Sequence, residues 1–477
     1  MENSAGKDNI AEDHGEVGGP VVPRKRKRAA TDGATSGPGL LCDDVLINIF
    51  ARLPARAAVA CTSLSKHHHR LIRSPEFAIL HSRLGAPPLP RPHIAYLATA
   101  PIKRRPGQKK PVNVFHDFHV AGGGLRRGGA AAPMRSLSGW RYLEMSYINT
   151  CNGVVLLAKK EFSRPCRCIL WNPAVADGDG VEEVTVPGRD YQVLGLGYGP
   201  RSETYKLLLC RSDRRRGCYH NEYSLAICSL GGSSVELDGK HDGNIRLQML
   251  YADGTIYLAE RETRWILAFD VDDEAITSID LPTRRYVSNL MELSGRPCIA
   301  VEDDSGSKAL WVLSVDHQWV KRYLIAEQPV EARFYIFSLT AVWDCGGVLV
   351  LYSDGIRDDV DKLFVYNVAT GKMFKAALHR DMAPDSSEYA ICWGYTPTLV
   401  SPGSMVGKVD QGVVGRRRRE LPADMVKALQ PVVERDRKQG HDATVDTVSF
   451  MDVLVCIMRR LPDGVQDVQD LVELLTA

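Results

Sequence analysis

Histidine and cysteine are the residues whose spacing in this chain comes closest to that of a chemical site. Three consecutive histidines, His67 to His69, lie upstream of His81 in a stretch with helical periodicity. Neighbouring residues on a helix point about 100° apart, so these rings cannot all face one metal ion. His116 and His119 lie in a strand pattern, in which residues three apart face opposite sides of a sheet. The histidines therefore predict no metal site.

The cysteines indicate buried thiols. Cys166 and Cys168 are two apart in a strand pattern and share a face, but without a second pair they favour core packing over metal or redox chemistry. The twelve cysteines form no C-x-x-C pair, and without a secretory signal they are expected to be reduced. The sequence also lacks G-x-S-x-G, P-loop and H-E-x-x-H motifs. It thus predicts no catalytic residue, no metal site and no cofactor.

Residues 40–81 have the pattern of a small helical module. The first helix is expected to start at Asp43, where an acid meets the positive end of the helix dipole, and to end at Pro54. A second helical stretch covers residues 59–72, and Ser74 is placed to cap a third. Three short helices in such a small segment cannot bury all their apolar surface against one another. We therefore expect a partner to cover the rest.

This module resembles the F-box, through which substrate receptors of Skp–cullin–F-box ubiquitin ligases bind a Skp-type adaptor and, through it, a cullin. The resemblance is strongest to plant members. The matching residues are Asp43, Asp44, Leu46, Ile49, Leu53, Pro54, Cys61, Lys66, Leu71, Ile72, Ser74, Pro75, Glu76 and Phe77. The resemblance implies an adaptor-binding face made by Leu41, Val45, Leu46, Ile49, Phe50, Leu53, Pro54, Leu64, Leu71, Ile72 and Phe77.

Two positions depart from the family pattern. Cys42 stands where a proline usually precedes the first helix, and His68 stands where a tryptophan is usual. Both changes could weaken adaptor binding without abolishing it. The alternative to an adaptor-binding module is a three-helix fragment that packs onto the rest of this chain.

Residues 145–400 change to short β-rich runs separated by turns, and the runs repeat. A Gly-containing turn leads into an apolar run at residues 152–157, 253–258 and 346–351, with a degenerate copy at Ser294-Gly295. A unit of roughly 40 to 50 residues with three or four strands suits the blades of a β-propeller, which closes its sheet edges radially. We expect an α+β multidomain chain whose β-domain is a propeller of about six blades; the alternative is a β-sandwich.

This β-rich stretch also resembles the F-box-associated domain of plant F-box proteins. The matching motifs are Cys151-Asn152-Gly153, Trp171-Asn172-Pro173, Leu196-Gly197-Tyr198-Gly199-Pro200 and Tyr205-Lys206. The Asn-Pro step is expected to have a local role in a turn. The resemblance implies that the β-domain holds a substrate protein for ubiquitination, while another subunit brings the reactive thiol, so the chain is not expected to be an enzyme.

The two ends of the chain differ in composition from its middle. Residues 1–38 lack aromatics and are expected to be a disordered tail. Its basic run Arg24, Lys25, Arg26, Lys27 and Arg28 predicts nuclear import, with residence in nucleus and cytoplasm. The expected order is this tail, an F-box at 39–85, the β-domain at 91–400 and a helical tail at 401–477. Within that last tail, residues 421–438 and 448–461 predict helices, the second of which caps the domain.

Composition weighs against other classes of function without removing them. A net charge of +2 and the absence of long apolar runs indicate neither a nucleic-acid nor a membrane bias. A nuclear nucleic-acid-associated regulator remains an alternative, through the basic runs at 24–28, 103–110 and 214–216. A non-ligase scaffold and a propeller hydrolase are further alternatives. The basic loop Asp213–Cys218 is a candidate contact for an acidic partner, although an ordinary hairpin tip fits it as well.

Overall fold

The computed structural model divides the chain into two units, residues 1–42 and 43–477. It describes residues 41–84, 92–102, 112–122, 134–138, 142, 145–159, 166–175, 180–186, 191–213, 222–230, 232, 234–242, 245–260, 265–283, 287–302, 308–325, 339–353, 362–377, 388–406, 444–445 and 447–461. All helices and strands below belong to the larger unit. No helix among these residues is long and apolar enough to cross a membrane.

A helical module opens the larger unit with four helices where three were expected: α1 (Asp43–Ala51), α2 (Ala55–Cys61), α3 (Lys66–Ile72) and α4 (Pro75–Leu84). The second predicted stretch is broken because Thr62 and Ser63 turn their hydroxyls onto the carbonyls of Val59 and Ala60, at 2.6 and 2.7 Å. The Ser65 hydroxyl then accepts from the His68 amide and caps α3. Ser74 accepts from the Phe77 amide at 3.1 Å, as expected for the cap of the last helix.

Twenty-four strands follow in the described residues, and they form six four-stranded antiparallel sheets. Blade 1 contains β1 (Ile94–Ile102), β2 (Val112–Ala121), β3 (Arg135–Ser138) and the late strand β24 (Tyr389–Ile391); blade 2 contains β4 (Met145–Cys151), β5 (Val154–Lys159), β6 (Cys166–Trp171) and β7 (Val181–Val186); blade 3 contains β8 (Tyr191–Gly199), β9 (Thr204–Asp213), β10 (Glu222–Ser229) and β11 (Ser234–Asp242). Blade 4 contains β12 (Ile245–Ala252), β13 (Thr255–Glu260), β14 (Trp265–Asp270) and β15 (Ala275–Asp280); blade 5 contains β16 (Met291–Leu293), β17 (Arg296–Glu302), β18 (Lys308–Leu313) and β19 (Trp319–Ile325); blade 6 contains β20 (Leu339–Asp344), β21 (Val348–Ser353), β22 (Lys362–Asn367) and β23 (Lys372–Ala377).

The predicted six-bladed propeller is confirmed, and the β-sandwich alternative is wrong. Five blades use four consecutive strands each, whereas blade 1 has the order β24-β1-β2-β3. Its late strand pairs with β1, with Tyr96 opposite Ile391 and Ala98 opposite Tyr389. Because one sheet is shared by the two ends of the domain, the ring closes by hydrogen bonds and leaves few open sheet edges.

The turns that revealed the repeat connect the first and second strands of blades 2, 4, 5 and 6. Asn152-Gly153, Asp253-Gly254 and Ser294-Gly295 each place two successive residues at positive φ, between 47° and 84°. Two such residues are what a tight hairpin turn of the primed type requires, which explains why the second is glycine. Gly346-Gly347 meets the same demand in blade 6, with φ of 77° and 95°.

Two helices lie beyond the strands in the described residues: α5 (Pro402–Met405) and α6, residues 447–460. The second matches the span predicted from residue 448. Its buried side chains share one apolar cluster with strands of blades 1 and 6, whereas Ser449, Cys456, Arg459 and Arg460 are exposed, so one face of the helix packs against both blades. The predicted helix at 421–438 lies outside the described residues.

Candidate functional site

Exposed apolar side chains mark one face of the helical module. Val45 and Ile49, one turn apart on α1, are 41% and 46% exposed. Leu64, directly before α3, is 64% exposed. The start of α3 lies beside α1, since Nε2 of His67 is 2.9 Å from Oδ1 of Asp43. We call Val45, Ile49 and Leu64 the apolar face; it has the character of a surface that a partner covers.

The other predicted adaptor-binding residues differ in their exposure. Leu41 and Pro54 are exposed, whereas Leu46, Leu53 and Leu71 are half-buried. Phe50, Ile72 and Phe77 are buried in the core of the module, at 7%, 4% and 1% exposure. The structure thus assigns these three side chains to holding the helices together. The predicted adaptor contacts themselves remain a prediction.

The core of the module is completed by the propeller. Phe50, Ile72 and Phe77 belong to one apolar cluster with Ala174, in the turn after β6, and with Leu399. Ala174 is 2% exposed and Leu399 is 9% exposed. Helices and propeller therefore share a dry contact, which restricts movement of the module relative to blade 2.

Three of the four histidines in the module, His67, His68 and His81, each have a different polar neighbour. His67 contacts Asp43, while Nδ1 of His68 lies 2.8 Å from the Ser65 hydroxyl. The His68 ring also meets the Phe50 ring edge-on at 5.3 Å, so it packs against the module core as a larger aromatic ring would. Nε2 of His81 donates to the Leu53 carbonyl at 3.0 Å, and burial lowers the pKa of His81 despite this bond.

Two sequence motifs of the propeller, Cys151-Asn152-Gly153 and Trp171-Asn172-Pro173, contact the same segment, residues 396–400. The Thr398 hydroxyl donates to the Asn152 carbonyl at 2.7 Å, and any side chain at Gly153 would collide with the Thr396 carbonyl. Nδ2 of Asn172 donates to the carbonyls of Thr398 and Val400 at 3.0 and 2.7 Å. Blade 2 therefore holds the chain just after the ring-closing strand.

Asn172 has a wider role than the sequence indicated. The expected local turn is present, because its Oδ1 accepts from the Ala174 amide at 2.9 Å. The contacts of its amide nitrogen, however, reach 226 and 228 residues along the chain. No local pattern identifies Thr398 or Val400 as partners, since their relevant atoms are backbone carbonyls.

The motif Leu196-Gly197-Tyr198-Gly199-Pro200 lies where blades 3 and 4 meet. The side chain of Asp272, in the turn after β14, accepts from the amides of Arg201 and Ser202 at 3.0 and 2.8 Å. Burial raises the pKa of Asp272, but hydrogen bonds from Ser202 and Arg201 outweigh that effect and lower it to about 2. A side chain at Gly199 would collide with this carboxylate, which explains the glycine at that position.

Lys206 completes the same contact. It is 6% exposed, and its Nζ donates to the Val271 carbonyl at 2.7 Å and lies 2.7 Å from Oε1 of Glu274. A buried lysine needs such partners, because desolvation without them is costly. Tyr205-Lys206 is therefore part of the frame, and Asp272 and Glu274 are the partners that sequence patterns did not reveal.

The family comparison decides what this arrangement is. A model described as the F-box associated beta propeller domain matches residues 135–394, more than half of the chain, and a model described as the F-box domain matches residues 39–80. The chain belongs to the F-box associated beta propeller family. The F-box and the F-box-associated domain that the sequence indicated are thereby confirmed, and the helical module is an F-box.

Comparisons with individual proteins add little to the family assignment. No curated protein matches the chain. Solved structures with some likeness include dipeptidyl peptidase 4 of Porphyromonas gingivalis, at 13% identity over 59% of this chain and 44% of that chain, with a TM-score of 0.33. A chain of the nidogen–laminin complex matches at 12% identity over 60% of this chain and 93% of that chain, with a TM-score of 0.30. This chain spans less than half of the peptidase chain.

The remaining candidate groups in this F-box-associated propeller are structural or lie outside the described residues. Cys166 and Cys168 are buried as expected, and burial raises the pKa of Cys168 far above its ordinary value. Burial also lowers the pKa of His116 to about 4, while His119 stacks on Tyr96. Within the described residues, no three potential ligands lie close enough to hold a metal ion. The basic runs at 24–28, 103–110 and 214–216 are outside those residues.

Proposed function

We propose that this chain is the substrate-recognition subunit of a Skp–cullin–F-box ubiquitin ligase. The F-box binds the Skp-type adaptor, and through it a cullin, while the propeller binds the substrate protein. The observation that carries this proposal is the exposed apolar face of Val45, Ile49 and Leu64, which stays exposed although the propeller completes the core of the module. An apolar face of this kind is stabilised when a partner removes it from water.

The contact between F-box and propeller supports the same role. A receptor must hold its substrate within reach of a thiol that another subunit carries, so its two binding surfaces need a fixed separation. The shared core of Phe50, Ala174 and Leu399 supplies that rigidity. No chemistry is required of the receptor itself, which agrees with a non-catalytic subunit. Plant origin, nuclear import through Arg24 to Arg28, and residence in nucleus and cytoplasm form part of the proposal.

Adaptor capture by the full-length chain tests this function. The full chain is needed because the F-box core includes residues of the propeller. We expect Val45→Asp with Ile49→Asp to abolish pull-down of a purified Skp-type adaptor, since each apolar side chain contributes about 1.5–3 kcal/mol when fully buried. Leu84→Asp is the matched control, because Leu84 on α4 is also 41% exposed.

Circular dichroism of each variant shows whether the fold is retained. Loss of capture in the double variant, with capture by Leu84→Asp unchanged, would support the proposal. Capture by the folded double variant at the level of the original chain would refute the assignment of this face. Failure of the original chain to capture any Skp-type adaptor would overturn the proposed function.

A further inference from the structure

A second group of exposed apolar side chains lies far along the chain from the F-box, on blade 5. Val315, in the turn before β19, and Val320, on β19, are 67% and 52% exposed. Leu324 is 57% exposed but lies on the opposite face of β19, because it is paired with Ala309 whereas Val320 is paired with Val312. The other large apolar side chains exposed on the described propeller strands and turns are scattered singly, at Val235, Trp265 and Val368. Single exposed residues are ordinary on protein surfaces, whereas a group requires an explanation.

Part of this group borders a cavity of about 370 Å³. Its apolar walls include Leu293 beside the turn of β16 and β17, Val312 on β18, and Val315 and Val320. Val312 and Val320 lie directly opposite each other in the sheet, so their side chains form one continuous surface. A volume of this size lies within the range of ligand pockets, which begins at about 300 Å³. It accommodates one apolar side chain of a bound segment and part of the residues next to it in that segment.

The polar edge of the cavity is cationic. Among the described residues that line it, two are arginines, Arg296 and Arg322, and none is acidic. Arg296 is paired with Asp253, at 3.2 Å. The Arg322 guanidinium lies over the Tyr323 ring, 5.8 Å from its centroid, and hydrogen-bonds the Tyr323 side chain. The Tyr323 hydroxyl in turn donates to the carboxylate of Asp344, so this acid is held by the tyrosine and not by a direct ion pair with Arg322 in the described residues. Arg322 is thus a positioned cation with capacity for an anionic partner.

The strand beside the cavity is poorly suited to pairing with another strand. Although β19 is the outermost strand of blade 5, the register between β18 and β19 shifts at Leu310 and Trp311. Lys321 and Arg322 both lie on this strand and both are exposed. Irregular register and positive charge are the features that protect an edge strand from continuing a sheet. Recognition at this surface therefore depends on side chains entering the cavity and not on strand addition.

We propose that the blade 5 cavity is a substrate-docking site for an extended protein segment in which an apolar side chain is flanked by Asp or Glu. The apolar side chain enters the cavity and packs on the surface that Val312 and Val320 form together, and the carboxylate pairs with Arg322. This inference rests on the proposed function, because it treats the propeller as the substrate-binding part of a ligase receptor. It adds the chemical class of the segment that is recognised.

Peptide binding to the full-length chain tests this site directly. The probe is an immobilised array of short peptides in which Leu, Ile, Met or Phe is flanked by Glu or Asp, beside a matched array flanked by Lys. The tightest peptide is then labelled with fluorescein and titrated by anisotropy. We expect binding by acidic peptides only, and at least about a tenfold weaker affinity for Arg322→Glu and for Val320→Asp.

Two controls have matched chemistry on other blades. Val235→Asp changes a valine of similar exposure, 57%, on the outermost strand of blade 3, and Lys372→Glu reverses an exposed charge on the outermost strand of blade 6. Both are expected to retain the affinity of the original chain. The proposal is overturned if no acidic peptide binds, if Lys-flanked peptides bind equally, or if the controls weaken binding as much as the cavity variants.

Adaptor pull-down of the same proteins separates the two proposals. Full adaptor capture together with failed peptide binding would refute the docking site and leave the receptor function standing. Selective peptide binding without adaptor capture would refute the receptor function and identify the propeller as an acidic-segment binder in another setting.

Discussion

Asn172 shows how a single residue holds distant parts of this propeller together. Its side chain forms a local bond to the Ala174 amide and two long-range bonds to the carbonyls of Thr398 and Val400. The residue is fully buried, so these groups have no access to water if their partner is removed. An unsatisfied buried polar group costs about 1–3 kcal/mol, and here several would be left together.

We therefore expect Asn172→Ala to lower the free energy of unfolding by about 2–4 kcal/mol, measured by urea denaturation. Asn367→Ala is the matched control, because Asn172 directly follows the third strand of blade 2 and Asn367 is the last residue of the third strand of blade 6. Its side chain accepts only from the nearby amides of Ala369 and Thr370, among the bonds described. Equal destabilisation by the two substitutions would contradict the importance of the long-range bonds.

The helix α6 makes contacts that its sequence pattern does not specify. It packs against strands of blades 1 and 6, the two blades at which the chain closes the ring. Its contact with blade 1 centres on Gly122, whose amide donates to Oδ1 of Asp452 at 3.1 Å. Gly122 has a φ of 86°, and a Cβ there would lie 2.5 Å from Cγ1 of Val455 and 2.6 Å from a guanidinium nitrogen of Arg459.

Gly122→Ala is thus expected to loosen α6, since overpacking costs about 1–3 kcal/mol in addition to the strain of positive φ. Hydrogen exchange of the α6 amides should accelerate. Gly346→Ala separates the two effects, because Gly346 has a similar φ of 77° but no atom within 4 Å of the added Cβ. Unchanged exchange in α6 of the Gly122 variant would show that the helix is not held at this point.

The helices, strands and turns that a short stretch of sequence specifies were predictable. The turns at Asn152-Gly153 and Asp253-Gly254 predicted the blades from the sequence, because two residues at positive φ restrict the residue types that fit. The break between α2 and α3 was missed, since apolar spacing continues across Thr62 and Ser63 while their hydroxyls bind preceding carbonyls. The position of α6 was also missed, because its periodicity shows that it is apolar but not which blades contact it.

At the scale of the whole molecule, the F-box and the propeller share a core. Leu399 follows the ring-closing strand and packs with Phe50 and Phe77 of the F-box. Blade 2 holds the same segment through Asn152 and Asn172. The region that closes the ring is therefore also the region that supports the F-box, so the closure of the propeller and the orientation of the adaptor-binding module are linked.

Leu399→Asp tests this link. A buried, unpaired carboxylate is strongly unfavourable, so we expect the contact to open and the amides of α1–α4 to exchange faster, while amides in blades 3 to 5 keep their protection. Leu84→Asp introduces the same charge at an exposed site of α4 and should leave exchange unchanged. Protected F-box amides in a folded Leu399→Asp protein would show that the module is stable without the propeller.

By itself, the sequence indicated the family, through its resemblance to known motifs, and the order of the two domains; it predicted a propeller of about six blades, and the structure established that number. The helices, strands and repeat follow from spacing over short distances: apolar periodicity in helices, alternation in strands, and turn residues that tolerate positive φ. The tertiary structure alone decided which predicted adaptor contacts are exposed, where α6 packs and which partners Asn172, Asp272 and Lys206 have. It also brought Val312, Val320 and Arg322 to one cavity. The physical reason is that such contacts join residues far apart in the chain, often through backbone atoms that every residue type shares.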